Sequence, residues 1–245
     1  MIVISAGMQK SGTGWYFSLT NALLAGHGGD DTRVLRDQSK TLGRVVKTHN
    51  CSIGAPTARR VALFVAGGRG KKFAVKTHAA PTPALKALLS THRAQATYCY
   101  RDLRDVALSA LDAAGKQGDA QPGPKMAQLK RLEDAFRFTT TLVPVWRAWT
   151  STPGVLPVRY EALVADPAKE IERLATFLGI ALADGDTDQL LERYPAGAGG
   201  SATRKELHFN RGEAGRFHEV MTPADLEVCN RVIGPYLDEV GYERV

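Results

Sequence analysis

The chain has 245 residues, 44% hydrophobic and 23% charged, which excludes a disordered or fibrous protein and leaves room for a sizeable core. Its net charge of +7 and pI near 9.4 favour an anionic partner: nucleic acid, an acidic membrane surface or a phosphorylated small molecule. Cys51, Cys99 and Cys229 are too scattered for a disulfide framework or zinc knuckle, and no apolar run approaches the roughly 20 residues that span a bilayer, so a soluble cytoplasmic protein is expected.

Residues 2–5, IVIS, read as a buried strand, because the run is short, apolar and β-branched. Trp15, Leu19, Leu23 and Leu24 fall near helical spacing and predict a helix from Thr13 that Gly26 ends. Residues 27–44 are polar and define no element. RVVKTH (44–49) is a strand candidate, residues 57–66 fit helix or strand, and GGRGKK is a turn in which Lys71 and Lys72 are solvated. KFAVKTH (72–78) predicts a strand, PALKALLSTH a helix, ATYCYR a strand and LRDVALSALDAA a helix with Arg104 and Asp105 at a solvated start. Beyond QPGP, Met126, Leu129, Leu132, Phe136, Val143 and Trp146 share a face and predict one longer helix, with Trp146 and Trp149 in the core. VLPVRY (155–160) is a strand, Asp166-Pro167 opens a helix through Leu178, and Thr222-Pro223 opens the last helix with Asp225 in capping-box spacing. The only internal echo is VVKTH at 45–49 against AVKTH at 74–78.

This alternation predicts a single α/β domain over residues 1–245, with a mostly parallel central sheet flanked by helices. Ligands of such sheets bind at the carboxyl ends of the strands, where GMQKSGTG (7–14) falls after the first strand. Glycines let a backbone turn and approach an anion, the helix start offers free N–H groups, and Lys10 adds a full charge, so the segment reads as a P-loop-like phosphate-binding loop. It is not a Walker A loop: Gly7 and Gly12 have the spacing, but Thr13 stands where the lysine belongs.

MQKSGTGW resembles the PKSGTTW loop of sulfotransferases that use 3′-phosphoadenosine 5′-phosphosulfate (PAPS), with Gln9 in place of the proline and Gly14 in place of the second threonine. The resemblance continues in chain order. VKTHAAP (75–81) is similar to the family's KTHLP segment, and YCYRDLRDVALSAL (98–111) to its second signature, with Arg101 and Ser109 at that signature's spacing. VRYEALVADPAKEIERLATFLGI resembles its tyrosine-bearing strand and helix. FNRGEAGRF resembles its RKGxxGxW segment, with Asn210 for the arginine and Phe217 for the tryptophan. The resemblance implies a histidine base, His78, with Lys10 at the leaving oxygen and Lys76 at the transferring sulfuryl group. It implies that Ser11, Gly12, Thr13, Gly14 and Trp15 cradle the 5′ end and adenine side of the nucleotide. Arg101 and Ser109 then hold the 3′-phosphate, Arg211 and Gly212 close on it, and Tyr160 lies near the adenine. His49, in the echoed KTH, is the rival base.

The chemistry this implies needs a base for the acceptor proton and fixed cations where charge develops on the leaving oxygen. It requires no metal, and no cluster with metal-ligand spacing is present. The acceptor is expected to be a small-molecule hydroxyl or amine, held by the variable segments 27–44, 112–125 and 190–208, with no nucleic-acid or membrane partner. Two other classes remain open: a nucleotide-dependent kinase, which shares the phosphate cradle, and a non-catalytic nucleic-acid or sulfated-glycan binding module that uses the basic surface.

Overall fold

The computed structural model describes residues 1–48, 50–115, 125–195 and 213–244. Four strands form one all-parallel sheet in the order β2-β1-β3-β4: β1 (Ile2–Gly7), β2 (Phe73–Thr77), β3 (Ala94–Tyr100) and β4 (Val155–Arg159). All residues of β1 and β2 are buried, so these strands read as continuous runs without polar alternation. The chain leaves β1 for β2 on one side and returns to β3 on the other. That reversal opens a crevice at the carboxyl end of β1 and β3, the topological switch point of an open α/β sheet.

Helices α1 (Thr13–Gly26), α2 (Thr32–Gln38), α3 (Lys40–Gly43) and α4 (Ala58–Gly67) join β1 to β2. Helix α5 (Pro83–Ser90) joins β2 to β3, and α6 (Leu103–Ala114), α7 (Leu132–Thr140) and α8 (Val143–Thr150) lead to β4. Helices α9 (Tyr160–Ala165), α10 (Pro167–Leu178), α11 (Asp186–Arg193), α12 (Phe217–Val220) and α13 (Pro223–Val240) follow. Side chains at the helix starts fix many boundaries. Thr82, Asp102, Asp166 and Thr222 accept backbone N–H bonds at the starts of α5, α6, α10 and α13, and Gly179 and Gly241 end α10 and α13 in the left-handed region. The four corresponding sequence patterns were therefore readable almost to the residue.

Three expectations are corrected. Described residues 44–48 form no strand: they follow α3 in a turn, with the Val45 and Val46 N–H groups bonded to the Leu42 carbonyl. The outer edge of β2 instead carries a single bridge, Ser52 to Lys76. The helix expected after QPGP is two helices, α7 and α8, broken at Thr141–Leu142 just before Pro144, whose missing N–H cannot continue the ladder. Residues 27–44, left without an element, hold α2 and α3, whose caps are the side chains of Asp31 and Ser39. Residues 57–66 settle as the helix α4.

Candidate active site

The sheet register assembles the site. Ala6 pairs with both Thr77 and Tyr98, and Tyr98 pairs with Pro157, so one residue further on Gly7, His78, Cys99 and Val158 lie level at the carboxyl edge.

The loop between β1 and α1 is fastened to the end of β3 by one residue. The Cys99 carbonyl accepts from the Met8 N–H at 2.8 Å and lies 3.0 Å from the Ser11 hydroxyl, and the Cys99 thiol donates to the Ser11 carbonyl at 2.8 Å. Burial pushes that thiol up to about 12, so it stays protonated. The Ser11 hydroxyl is also 2.7 Å from the Met8 carbonyl; it faces the protein backbone, so what the loop offers an anion at this position is main-chain N–H. Lys10 and Gly12 both sit in the left-handed region, at φ 66° and 74°. A Cβ on Gly12 would stand 2.5 Å from the Tyr160 ring, and one on Gly7 would stand 2.4 Å from the Thr13 methyl, so neither position has room for a side chain. Gly12 is the N-cap of α1 and offers no side-chain cap, so among the described residues the first N–H groups of the helix have no intrahelical or side-chain partner.

His78 lies one residue beyond β2. Its Nδ1 is 2.7 Å from the Gly7 carbonyl oxygen. A carbonyl oxygen can only accept, so Nδ1 carries the proton and Nε2 carries the lone pair. The residues on either side are pinned as well: the Thr77 hydroxyl donates to the Gly54 carbonyl at 2.7 Å, and the Trp149 indole N–H donates to the Ala79 carbonyl at 2.9 Å. Burial and the neighbouring Lys76 charge push the imidazole down to about 3, against the opposing effect of the Gly7 bond. Lys76 is buried in the penultimate position of β2, and burial pushes its ammonium down to about 8.

Arg101 follows β3. Its Nη2 donates to Asp105 at 2.9 Å and to the Glu213 carbonyl at 2.5 Å, and its guanidinium stands 4.4 Å from the centre of the Tyr160 ring. Its Nε is buried and has no hydrogen-bond partner among the described residues. Arg104 and Asp105, expected in solvent, are both buried. Arg104 pairs with Asp102, the N-cap of α6, and lies 3.7 Å from the centre of the Phe217 ring, while Asp105 accepts the Gly215 and Phe217 N–H groups. The segment 213–217 covers this end of α6, and local sequence gives no sign of a partner more than 100 residues downstream.

A model of the family described as "Sulfotransferase domain" matches residues 2–241. The chain belongs to this family. No curated protein matches it at the sequence level. Among solved structures, the sulfotransferase resembles retinol dehydratase in complex with androsterone and inactive cofactor PAP (TM-score 0.62, 17% identity, 97% of this chain and 81% of that chain). It also resembles mouse sulfotransferase SULT7A1 complexed with PAP (TM-score 0.59, 15% identity, 97% and 88% covered). A third is the sulfotransferase domain from the curacin biosynthetic pathway (TM-score 0.51, 14% identity, 100% and 98% covered). Likeness at these identities concerns the fold, which is the single α/β domain expected from the alternation of elements. Membership of the family sets aside the nucleotide kinase and the non-catalytic binding module.

The register brings the loop, His78, Lys76, Arg101 and Tyr160 to one edge of the sulfotransferase sheet. Thr13 is buried in the first turn of α1, with Gly14 beside it. Trp15 is buried too, its indole N–H donating to the Tyr194 carbonyl at 2.9 Å. Ser109 is buried on α6 one turn beyond Asp105, on the same face. His49, Arg211 and Gly212 lie outside the described residues. The fastening by Cys99 and the burial of Arg104 and Asp105 were missed; the only signal in the sequence was their position beside Arg101. The basic surplus is concentrated in one stretch of sequence: between residues 32 and 72 ten lysines and arginines stand against one acid, Asp37. No helix among the described residues is long and apolar enough to cross a membrane.

The residues present suit an anionic nucleotide. The start of α1 has donors to offer, and the buried Nε of Arg101 has, among the described residues, no acceptor such as an anion would supply.

Proposed function

We propose that this sulfotransferase moves a sulfuryl group from PAPS to a hydroxyl or amine of a small-molecule acceptor, with the whole chain 1–245 acting as one cytoplasmic domain. The observation that carries the reading is the His78–Gly7 bond, which fixes a neutral imidazole with its Nε2 lone pair free, level with the loop. PAPS supplies the sulfuryl group; the S–O bond to its 5′-phosphate breaks, and the electron pair leaves on that phosphate oxygen with adenosine 3′,5′-bisphosphate.

Main-chain N–H groups of residues 11–14 and the Thr13 hydroxyl receive the 5′ end. Trp15 and Tyr160 flank the adenine side. Arg101 and Ser109 take the 3′-phosphate, with Arg211 and Gly212 beside them. Nε2 of His78 accepts the acceptor proton as the new bond forms. Lys10 meets the charge that develops on the leaving oxygen, where a preorganised cation acts more strongly in the transition state than in the ground state. Lys76, held at about 8, is still mostly charged at neutral pH and assists at the transferring group. Anionic charge arriving with the co-substrate opposes the effect of Lys76 and raises the basicity of His78 when the site is filled. The reading assigns no role to a metal. The three cysteines are buried and form no disulfide, in keeping with a reducing compartment.

Transfer of labelled sulfur from PAPS to a panel of alkyl alcohols, phenols and amines tests the proposal. Transfer to any of them supports it. The reading fails if none is sulfated and adenosine 3′,5′-bisphosphate gives no thermal stabilisation.

A further inference from the structure

We infer that Asp105 is a positioning residue of the nucleotide site: its buried carboxylate fixes Arg101 and docks the backbone of residues 213–217 against it. This rests on the reading of Arg101 as the cation for the 3′-phosphate. The Asp105 side chain is fully buried and that of Arg101 is 9% exposed. Oδ2 accepts from Arg101 Nη2 at 2.9 Å and from the Gly215 N–H at 2.8 Å, and Oδ1 accepts from the Phe217 N–H at 3.1 Å. The same Nη2 reaches the Glu213 carbonyl, and Tyr160 lies against the face of the guanidinium. Among the described residues, Arg101 is thus held by one nitrogen and one face, and its buried Nε has no partner there. Arg216, between the two docked amides, adds a bond of 2.5 Å to Asp112, about two turns beyond Asp105 along the same face of α6.

Charge alone gives no reason for an acid at this position. A carboxylate beside Arg101 lowers the positive potential that an incoming phosphate meets. Geometry gives the reason. Without that acceptor, the Gly215 and Phe217 N–H groups lose their partner and Arg101 Nη2 keeps only the Glu213 carbonyl, so the cation is less firmly directed. The two arguments make opposite forecasts for Asp105→Asn, which removes the charge and, at nearly the same shape, turns one of the two acceptor oxygens into an N–H donor. Electrostatics alone has it bind anions more tightly; positioning has it bind them less well.

The test is calorimetric titration of the full chain and Asp105→Asn with adenosine 3′,5′-bisphosphate and with AMP. The expected result is bisphosphate binding weakened at least about tenfold by the substitution, with AMP affinity within about a factor of two. Unchanged or tighter bisphosphate binding overturns the inference, and so does an equal loss for both ligands, which marks a merely structural residue. Where the variant does not fold, amide exchange at Gly215 and Phe217 in the unsubstituted protein decides. Slower exchange with bisphosphate than with AMP supports the coupling, and equal exchange overturns it. If the unsubstituted chain binds bisphosphate no better than AMP, the nucleotide reading itself fails, and this inference with it.

Discussion

The loop after β1 and the turn after β3 lie side by side at the same edge of the sheet, yet they are held in different ways. The loop is shaped by its backbone: two glycines without room for a Cβ, two residues in the left-handed region, and a serine and a cysteine bonded to carbonyls. The turn after β3 is shaped by buried charge: Arg101 against Asp105, and Arg104 against Asp102. Backbone geometry leaves a mark in local sequence, because glycine is needed where nothing else fits. A buried ion pair leaves none, because the same residues on a solvated helix start read identically.

The largest effect expected in the loop is chemical. Lys10→Ala should lower turnover by roughly 10²- to 10³-fold, the cost of losing one preorganised donor, with a smaller loss of nucleotide affinity. Steady-state kinetics beside bisphosphate titration separates the two, and a loss confined to affinity would make Lys10 a positioning cation.

In the turn after β3 the effect should be on stability. Arg104→Ala leaves the Asp102 carboxylate buried without its partner, which typically costs about 3–5 kcal/mol. For a chain of this length that is on the order of 6–20 °C in melting temperature. A shift of only a degree or two would mean that Asp102 reaches water and that the charge there is not buried.

The strands, and the starts of α5, α6, α10 and α13, were legible because each carries an apolar run or a side-chain cap. The KTH echo shows the limit. Both copies have the same local pattern, but β2 takes the second, whose Thr77 pairs with Ala6 and so sets His78 level with Gly7. Register is a property of the whole sheet, and no window around residues 44–49 contains it. Arg104 and Asp105 were misread for a related reason: a helix start looks solvated until a distant segment, here 213–217, packs over it. The loop's shape could be read from its glycines; the inward direction of the Ser11 hydroxyl could not.

That direction gives a smaller prediction. Ser11→Ala removes a buried hydroxyl bonded to backbone, so it should cost about 1–2 kcal/mol of stability and leave turnover within a few-fold. A large loss of turnover in a stable variant would put the hydroxyl on the substrate.

The smallest expected effect is a flat line. With His78 held at about 3, its imidazole stays neutral as pH falls below 6.5, so the free enzyme's kcat/KM should show no acid limb from this group between pH 6.5 and about 4. Stability behaves in the opposite manner. The unfolded chain takes up a proton at this residue near pH 6.5 and the native chain does not. The contribution of His78 is thus fully present above pH 6.5 and is lost as pH falls toward 3. His78→Gln should remove that part of the slope, seen as a flatter melting temperature between pH 6.5 and 4. On the alkaline side, Lys76 of the free enzyme loses its charge near pH 8, so kcat/KM should decline from there and not from the usual lysine range.

The most direct test is single-turnover transfer of labelled sulfur from PAPS to an alkyl alcohol by the wild-type chain and by His78→Gln, with bisphosphate affinity measured on both. The account predicts transfer at least about 10²-fold slower in the variant with bisphosphate affinity unchanged. Transfer at the wild-type rate would contradict it, because the proton would then leave by another route and the base would lie elsewhere.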